Sequence, residues 1–282
     1  MLCSVLEPIE ALFSQLVLVV APRDRRRIEK VLHGYPYFHK IRFATQTEPR
    51  GMADAIYTGL ESVATENVAT LWGDQVLIRP TTVAACLFAH ESRPGSCFTL
   101  PTIHVEKPYT SIERNEAGQI TAVHQAREGQ IPSNKKTGES DIGFFAFTSD
   151  ALRRVLAESR ASDSSIGAKT KEWNLLPLFP RFETHAGSVL TLRMKDVNEG
   201  AGVNTRSDAR KVEKLLVARI HARSNEHRIS IALFSGGRGC TTIIENMVRQ
   251  PQVKLQVLVN TYDDGLSTGR LRKFIPGMLG PS

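Results

Sequence analysis

The sequence predicts an α/β fold, a mostly parallel sheet with helices on both faces, followed by a short second α/β segment. Short β-rich runs recur at residues 15–21 ("QLVLVVA"), 40–46 ("KIRFATQ") and 67–74 ("NVATLWGD"). Helically patterned stretches separate them, at residues 23–33 and 51–64 ("GMADAIYTGLESVA"). A strand, a crossover helix and another strand bring successive strands side by side and parallel, which makes this alternation the signature of a helix-covered sheet.

The elements follow from local chemistry. Residues 15–21 are almost all Leu and Val, which fit a buried strand. The third run ends on Gly73-Asp74, which puts a carboxylate at the open end of a strand, where open α/β sheets bind ligands. Residues 97–146 differ in pattern. "YTSIERNEAGQITAVHQAR" reads as a hairpin turning at residues 115–118, and "DIGFFAF" as a strand, so this part is expected to form a lid-like insert. The polar residues 159–171 predict a mobile loop, residues 188–196 ("SVLTLRMKD") a strand, and residues 206–223 a basic amphipathic helix. After a polar connector at 224–228, strand, Gly-rich loop, helix and strand start again. This places a boundary near residue 225, with domains at 1–224 and 225–282, the second too short for a whole α/β layer.

Composition narrows the class. With 282 residues and 41% apolar content the chain can bury a sizeable core. No apolar run reaches the roughly 20 residues of a membrane helix, and the first residues lack the pattern of a secretory signal, so a cytoplasmic protein is expected. Cys3, Cys86, Cys97 and Cys240 show no C-x-x-C spacing, which argues against zinc and against a disulfide framework. A net charge of +7 suits an anionic small substrate, and without an aromatic-interleaved basic motif no nucleic-acid partner is expected. The eight histidines have no metal-binding spacing, and Arg25–Arg27 reads as a solvated face.

Five segments in order, "QTEPRGMADAI", "LWGDQVLI", "GQITAVHQARE", "DIGFFAF" and "GVNTRSDARKVEKL", resemble the sugar-1-phosphate nucleotidyltransferases, in particular the N-acetylglucosamine-1-phosphate uridylyltransferase type. The resemblance covers about residues 1–216 and implies a Rossmann-like, GT-A-like sheet. It implies that Gln46, Gly51, Met52 and Gly73 sit at nucleotide-binding positions, with Met52 replacing a threonine. Asp74 and Asn204 match the catalytic residues that hold Mg²⁺, an ion that takes hard oxygen ligands and bridges substrate phosphates. Gln125 and Asp141 stand at sugar-binding positions, where the family has a glutamate and an asparagine. The implied reaction joins a nucleoside triphosphate and a sugar-1-phosphate with release of pyrophosphate. Met1 aligns just after the family's first strand and Gly-rich phosphate loop, so the resemblance implies an N-terminally truncated domain whose central strands either lose a neighbour or close up in another order.

The second segment, "FSGGRGCTTIIENMV" with "VNTYDDGLSTGRLRK", resembles the start of the 2-phospho-L-lactate transferase family and its gluconeogenesis-factor relatives. Gly236, Gly237, Gly239, Asp263, Asp264 and Arg270 match that family's ligand-binding positions. The glycine spacing suits neither a Walker loop nor a dinucleotide-dependent oxidoreductase. The alternative to a transferase is a non-catalytic nucleotide-sugar-binding or regulatory protein, or an inactive fragment of a bifunctional enzyme. Glu106, Lys107 and Arg127 are candidates to line the sugar site, and at single positions plainer roles compete: a cap for Asp74, a turn for Asn204, a dipole partner for Asp208, and solvated hairpin charges for Glu106, Lys107 and Arg127.

Overall fold

The computed structural model describes residues 1–185, 187–226, 229–235, 241–248 and 253–259, and the chain forms two compact units, Met1–Val212 and Glu213–Ser282. The chain runs through α1 (Leu2–Leu6), β1 (Leu16–Val20), α2 (Pro22–Leu32), β2 (Ile41–Thr45), α3 (Met52–Leu60) and β3 (Asn67–Leu71). Next come α4 (Pro80–Ser92), β4 (Ser96–Glu106), β5 (Thr110–Arg114), β6 (Ile120–Gln125), β7 (Thr137–Asp141) and β8 (Phe144–Thr148). The first unit then continues with α5 (Ser149–Ala161), α6 (Phe179–His185) and β9 (Ser188–Arg193). Helix α7 (Arg206–Glu226), β10 (Ile229–Ser235), α8 (Thr241–Val248) and β11 (Val253–Val259) follow. Prolines open α2 and α4 at their first position, where an N–H would have no partner inside the helix.

The α/β class holds, with mixed strand pairing. Strand β1 lies parallel to β2, and β10 parallel to β11. In the five-stranded sheet, β4 pairs antiparallel with β7 and β8 and parallel with β9, and β3 closes one edge against β8. The antiparallel members arise because the run read as one strand, "DIGFFAF", divides between β7 and β8 at Ile142-Gly143, and both halves pair back onto the long β4. Strands β5 and β6 form the expected hairpin. Its turn is closed by the Gly118 amide on the Asn115 carbonyl and the Gln119 amide on Asn115 Oδ1, both at 2.9 Å.

Strands β1 and β3 do not pair with each other. Val17 of β1 and Val68 and Ala69 of β3 line one cavity of about 370 Å³, and all five residues of β3 are only half-buried.

Two further expectations change. Helix α3 stops at Leu60 because Arg153 reaches over from α5 and its Nη2 donates to the carbonyls of Leu60 and Val63, at 2.7 Å each, satisfying acceptors that a continuing helix would have used. Residues 159–171, expected as a mobile loop, begin inside α5 and are then tied down. Glu128 accepts hydrogen bonds from the amides of Lys169 and Thr170 and from the Thr170 hydroxyl. That carboxylate is remote in sequence, and no local pattern announces it.

An aromatic cluster holds the sheet to α6. Phe98 of β4 stacks on Phe147 of β8 with ring centroids 4.7 Å apart and planes 3° from parallel, and packs on Phe179 and Phe182 of α6 at 4.7 and 5.0 Å. All four rings are fully buried. Phe98→Ala is therefore expected to cost about 3–5 kcal/mol of stability. Urea unfolding should show this as a lower midpoint at constant slope, and a loss under about 1 kcal/mol would mean that the sheet is held to α6 by other contacts.

Candidate functional site

The site is built where β3 leaves the sheet. Beyond Leu71 the Trp72 amide donates to the Gly143 carbonyl at 3.0 Å, and the Trp72 ring meets Phe145 edge-on at 5.6 Å, so the core fixes the strand exit. Gly143 has φ 75°, and a Cβ there would run into the Trp72 ring, so the position needs glycine on both counts. The chain then turns sharply, with the Gln75 amide on the Trp72 carbonyl and the Val76 amide on the Asp74 carbonyl, both at 3.1 Å. Leu77 and Ile78 drop back into the interior. Asp74 is left at the turn, its carboxyl pushed up from the ordinary aspartate range by burial.

Residues 196–204 come up against this turn. The Val203 amide donates to the Asp74 carbonyl at 3.1 Å. Gly202 lies so near that a Cβ on it would stand 2.7 Å from Asp74 Oδ2, and any side chain there would displace the carboxylate. Asn204 follows, and its amide is held by Asp208 Oδ2 at 3.2 Å. The same Asp208 oxygen accepts from the Thr205 amide and hydroxyl, at 2.8 Å each, while the Asp208 amide donates back to Thr205 Oγ1 at 3.1 Å. This reciprocal cap opens α7 and holds the Asp208 carboxyl below the usual aspartate range. Asp208 is thus a cap that shapes the site, more than a dipole partner.

Met52, Gly73, Asp74, Gln125, Asp141 and Asn204 line one cavity of about 510 Å³. Gln46 and Gly51 lie elsewhere. Gln46 Nε2 donates to the Gly51 carbonyl at 3.2 Å and to Asp54 Oδ2 at 2.8 Å, beside a smaller cavity of about 210 Å³. The second set of expected residues, Gly236, Gly237, Gly239, Asp263, Asp264 and Arg270, lies outside the described residues.

Sequence reading passed over several lining residues. Trp72, Tyr109, Thr110 and Ser140 contribute to the wall. The Thr110 hydroxyl donates to Asp141 Oδ2 at 2.6 Å, and the Gly143 amide donates to Asp141 Oδ1 at 2.8 Å. Burial nevertheless raises the Asp141 carboxyl, outweighing these two donors. Arg127, a candidate for the sugar site set against a solvated hairpin charge, lines the cavity and is locked in place. It donates to Gln125 Oε1 at 3.2 Å, to Glu172 Oε2 at 3.1 Å and to Asn174 Oδ1. With its oxygen so engaged, the buried Gln125 is left with Nε2 free to donate. Two of the partners of Arg127, Glu172 and Asn174, come from a segment 45 or more residues away, too far for pattern reading to find.

Among the described residues no group of three or more His, Cys, Asp or Glu side chains is placed to hold a metal. Mg²⁺ does not require one, since it keeps several waters and bridges substrate phosphates through one or two protein oxygens. A carboxylate whose charged form is disfavoured by burial, facing the same cavity as an amide side chain, suits a hard cation. Asp74 and Asn204 therefore fit such an ion.

Residues 1–132 match the MobA-like NTP transferase domain. The chain is 24% identical over 200 residues to the bifunctional protein GlmU of Carboxydothermus hydrogenoformans, covering 70% of this chain and 42% of that protein. To a bifunctional protein GlmU of Thermus thermophilus it is 26% identical over 280 residues, covering 96% and 55%. The chain thus spans about half the length of the curated relatives it matches. Among solved structures, CMP:2-keto-3-deoxy-manno-octonic acid synthetase complexed with CTP shares the fold, with a TM-score of 0.57 at 16% identity over 77% of this chain and 88% of that one. So does 4-diphosphocytidyl-2C-methyl-D-erythritol synthase from Anaerococcus prevotii, with a TM-score of 0.55 at 14% identity over 76% and 88%. Residues 1–132 are thus similar to an NTP transferase domain, and the chain shares its fold with the two synthetases.

Glu128 gives the loop it ties down, around residues 169–174, a pH dependence. Its hydrogen bonds from the Thr170 hydroxyl, the amides of Lys169 and Thr170, and Asn174 pull its carboxyl from the ordinary 4.5 down to about 2. A depressed carboxyl stabilises the fold fully above its unfolded value and loses that contribution as pH falls toward the folded value. Stability is therefore expected to decline between about pH 4.5 and pH 2, and to decline less steeply in Glu128→Gln. Thermal melts of both proteins across that window would show it; parallel curves would mean that the loop does not depend on the charge.

Proposed function

We propose that the first unit transfers a nucleotidyl group from a nucleoside triphosphate to a sugar-1-phosphate, with Mg²⁺ held by Asp74 and Asn204. The observation that carries this reading is the meeting of the Asp74 turn with residues 202–204 on the wall of a single 510 Å³ cavity. The cavity is large enough for a small ligand and opens at a strand end. In the reaction an acceptor phosphate oxygen bonds to the α-phosphorus, the bond to the bridging oxygen breaks, and pyrophosphate leaves with that electron pair. No covalent enzyme intermediate is needed, only alignment and cancellation of charge. When bound, Mg²⁺ supplies that cancellation.

The protein's own groups divide the remaining work. The Asp208 and Thr205 cap orients the backbone of Asn204. Gln125, its oxygen fixed by Arg127, offers Nε2 to an acceptor atom of the sugar. Asp141, its carboxyl raised by burial and held by Thr110 and Gly143, stands on the cavity wall where a sugar hydroxyl would meet it. A soluble, cytoplasmic setting belongs to the same reading; no helix among the described residues is long and apolar enough to cross a membrane.

One observation favours the second reading, a nucleotide-sugar binder without catalysis. Arg127 is the sole Arg or Lys among the described residues lining the cavity, and Glu172 and Asn174 already engage it. A triphosphate then relies heavily on the metal for neutralisation. Pyrophosphate release with Mg²⁺, a panel of nucleoside triphosphates and sugar-1-phosphates separates the readings. Release is expected, and Asp74→Ala should reduce turnover on the order of 100-fold or more, since it removes several kcal/mol of charge stabilisation. Nucleotide-sugar binding with no pyrophosphate from either protein would establish the binder instead.

A further inference from the structure

On the proposed reading, the metal takes its two protein oxygens from segments far apart in the chain, and a third residue ties those segments together. Arg79 occupies the N-cap of α4, on the same connection as Asp74. Its backbone amide donates to Glu199 Oε2 at 2.9 Å, its Nη2 donates to Asp196 Oδ2 at 2.6 Å, and its Nε stands 3.8 Å from Glu199 Oε1. Glu199 is 3% exposed, so its charge is removed from water and needs a compensating partner. The N-terminus of α4 provides part of that compensation and the guanidinium the rest.

The clamp acts on the short 3₁₀ turn Val197–Gly200. Asp196 caps this turn by accepting from the Asn198 amide at 3.1 Å. Beyond it Gly200 packs on Ile103, Gly202 on Asp74, and the Val203 amide bonds the Asp74 carbonyl, so the path from clamp to Asn204 is held at nearly every step. Two carboxylates on one side of the clamp and a rigid fork on the other fix the loop's place along α4. A lysine, with one compact ammonium, cannot bridge them in the same way. We infer that Arg79 is a positioning residue, which sets where Asn204 stands relative to Asp74 and thereby the affinity for the cation.

The test is Mn²⁺ binding to the full chain, followed by electron paramagnetic resonance without nucleotide, for the wild type, Asp74→Ala, Arg79→Ala, Arg79→Lys, Asn204→Ala and the double variant Arg79→Ala/Asn204→Ala. Groups that orient metal ligands are typically worth about 10–100-fold in affinity. Arg79→Ala is expected to weaken binding about 10-fold or more, with Arg79→Lys in between. The double variant should bind no more weakly than Asn204→Ala alone, because Arg79 acts through Asn204. Losses that add in the double variant, or an unchanged affinity in Arg79→Ala beside a weakened Asn204→Ala, would overturn the positioning role alone. Unchanged affinity in Asn204→Ala and Asp74→Ala would overturn the metal reading on which it rests. If Arg79→Ala does not fold, Asp196→Asn serves in its place, since it takes the charge from one arm of the clamp and leaves Glu199 paired.

Discussion

The hydrogen bond from the Val203 amide to the Asp74 carbonyl is the constraint on which the site depends, because it joins two loops that the sheet alone would leave apart. One loop leaves β3 and the other follows β9. Gly202 makes the join possible by having no side chain where Asp74 Oδ2 sits. The join in turn brings Asp208, which Thr205 caps, to the cavity wall, so the start of α7 is shaped by the same contact that shapes the site. A main-chain bond of this kind is insensitive to side-chain identity at position 203, and its specificity comes from the two glycines and the clamp around it.

Behind the join stands the aromatic cluster. Trp72 is the residue through which the core reaches the site, since its ring touches Phe145, and Phe145 packs on Phe179 at 5.0 Å. The Asp74 turn is therefore only two residues removed from a close-packed interior that does not deform gradually. The cavity between β1 and β3 shows the opposite case. There β3 is half-buried and the two strands are not joined to each other, so the unit is less densely built between β1 and β3 than around β4 and β8.

The alternating helices and strands, the 115–118 turn and the strand-end carboxylate were legible because each is written in adjacent residues: a β-branched run, an Asn with a Gly, a Gly-Asp pair after Trp72. The antiparallel return of β7 and β8 was not, because "DIGFFAF" reads as a continuous apolar strand and its break depends on Gly143 facing Trp72, a contact across the sheet. Gln46 was matched to the site on its motif, yet its amide is spent on Gly51 and Asp54, a local bond that competes with any ligand. Glu128 escaped, and Arg127 stayed undecided between the sugar site and solvent, for the converse reason. Their partners are distant in sequence, and an isolated charge on a hairpin carries no sign of whether a partner awaits it.

The charge balance of the cavity ties these parts to chemistry. Asp208 has its carboxylate occupied by the cap, and Arg127 has its guanidinium occupied by Glu172 and Asn174. Asp141 is pushed toward its neutral form by burial. What is left among the described residues facing the cavity as an uncommitted charge is Asp74, an anion that burial itself disfavours. A polyphosphate entering beside it would meet repulsion unless a cation came with it, and the same cation would relieve the desolvated carboxylate. Ligand and metal should therefore bind with positive coupling, each gaining most of its affinity from the other's charge, and by linkage the coupling must be equal in both directions. On the proposed reading this places the control of catalysis in the geometry of one carboxylate and one amide, and gives the surrounding hydrogen bonds their purpose: they hold that geometry in a cavity where no other described residue brings a free charge to correct it.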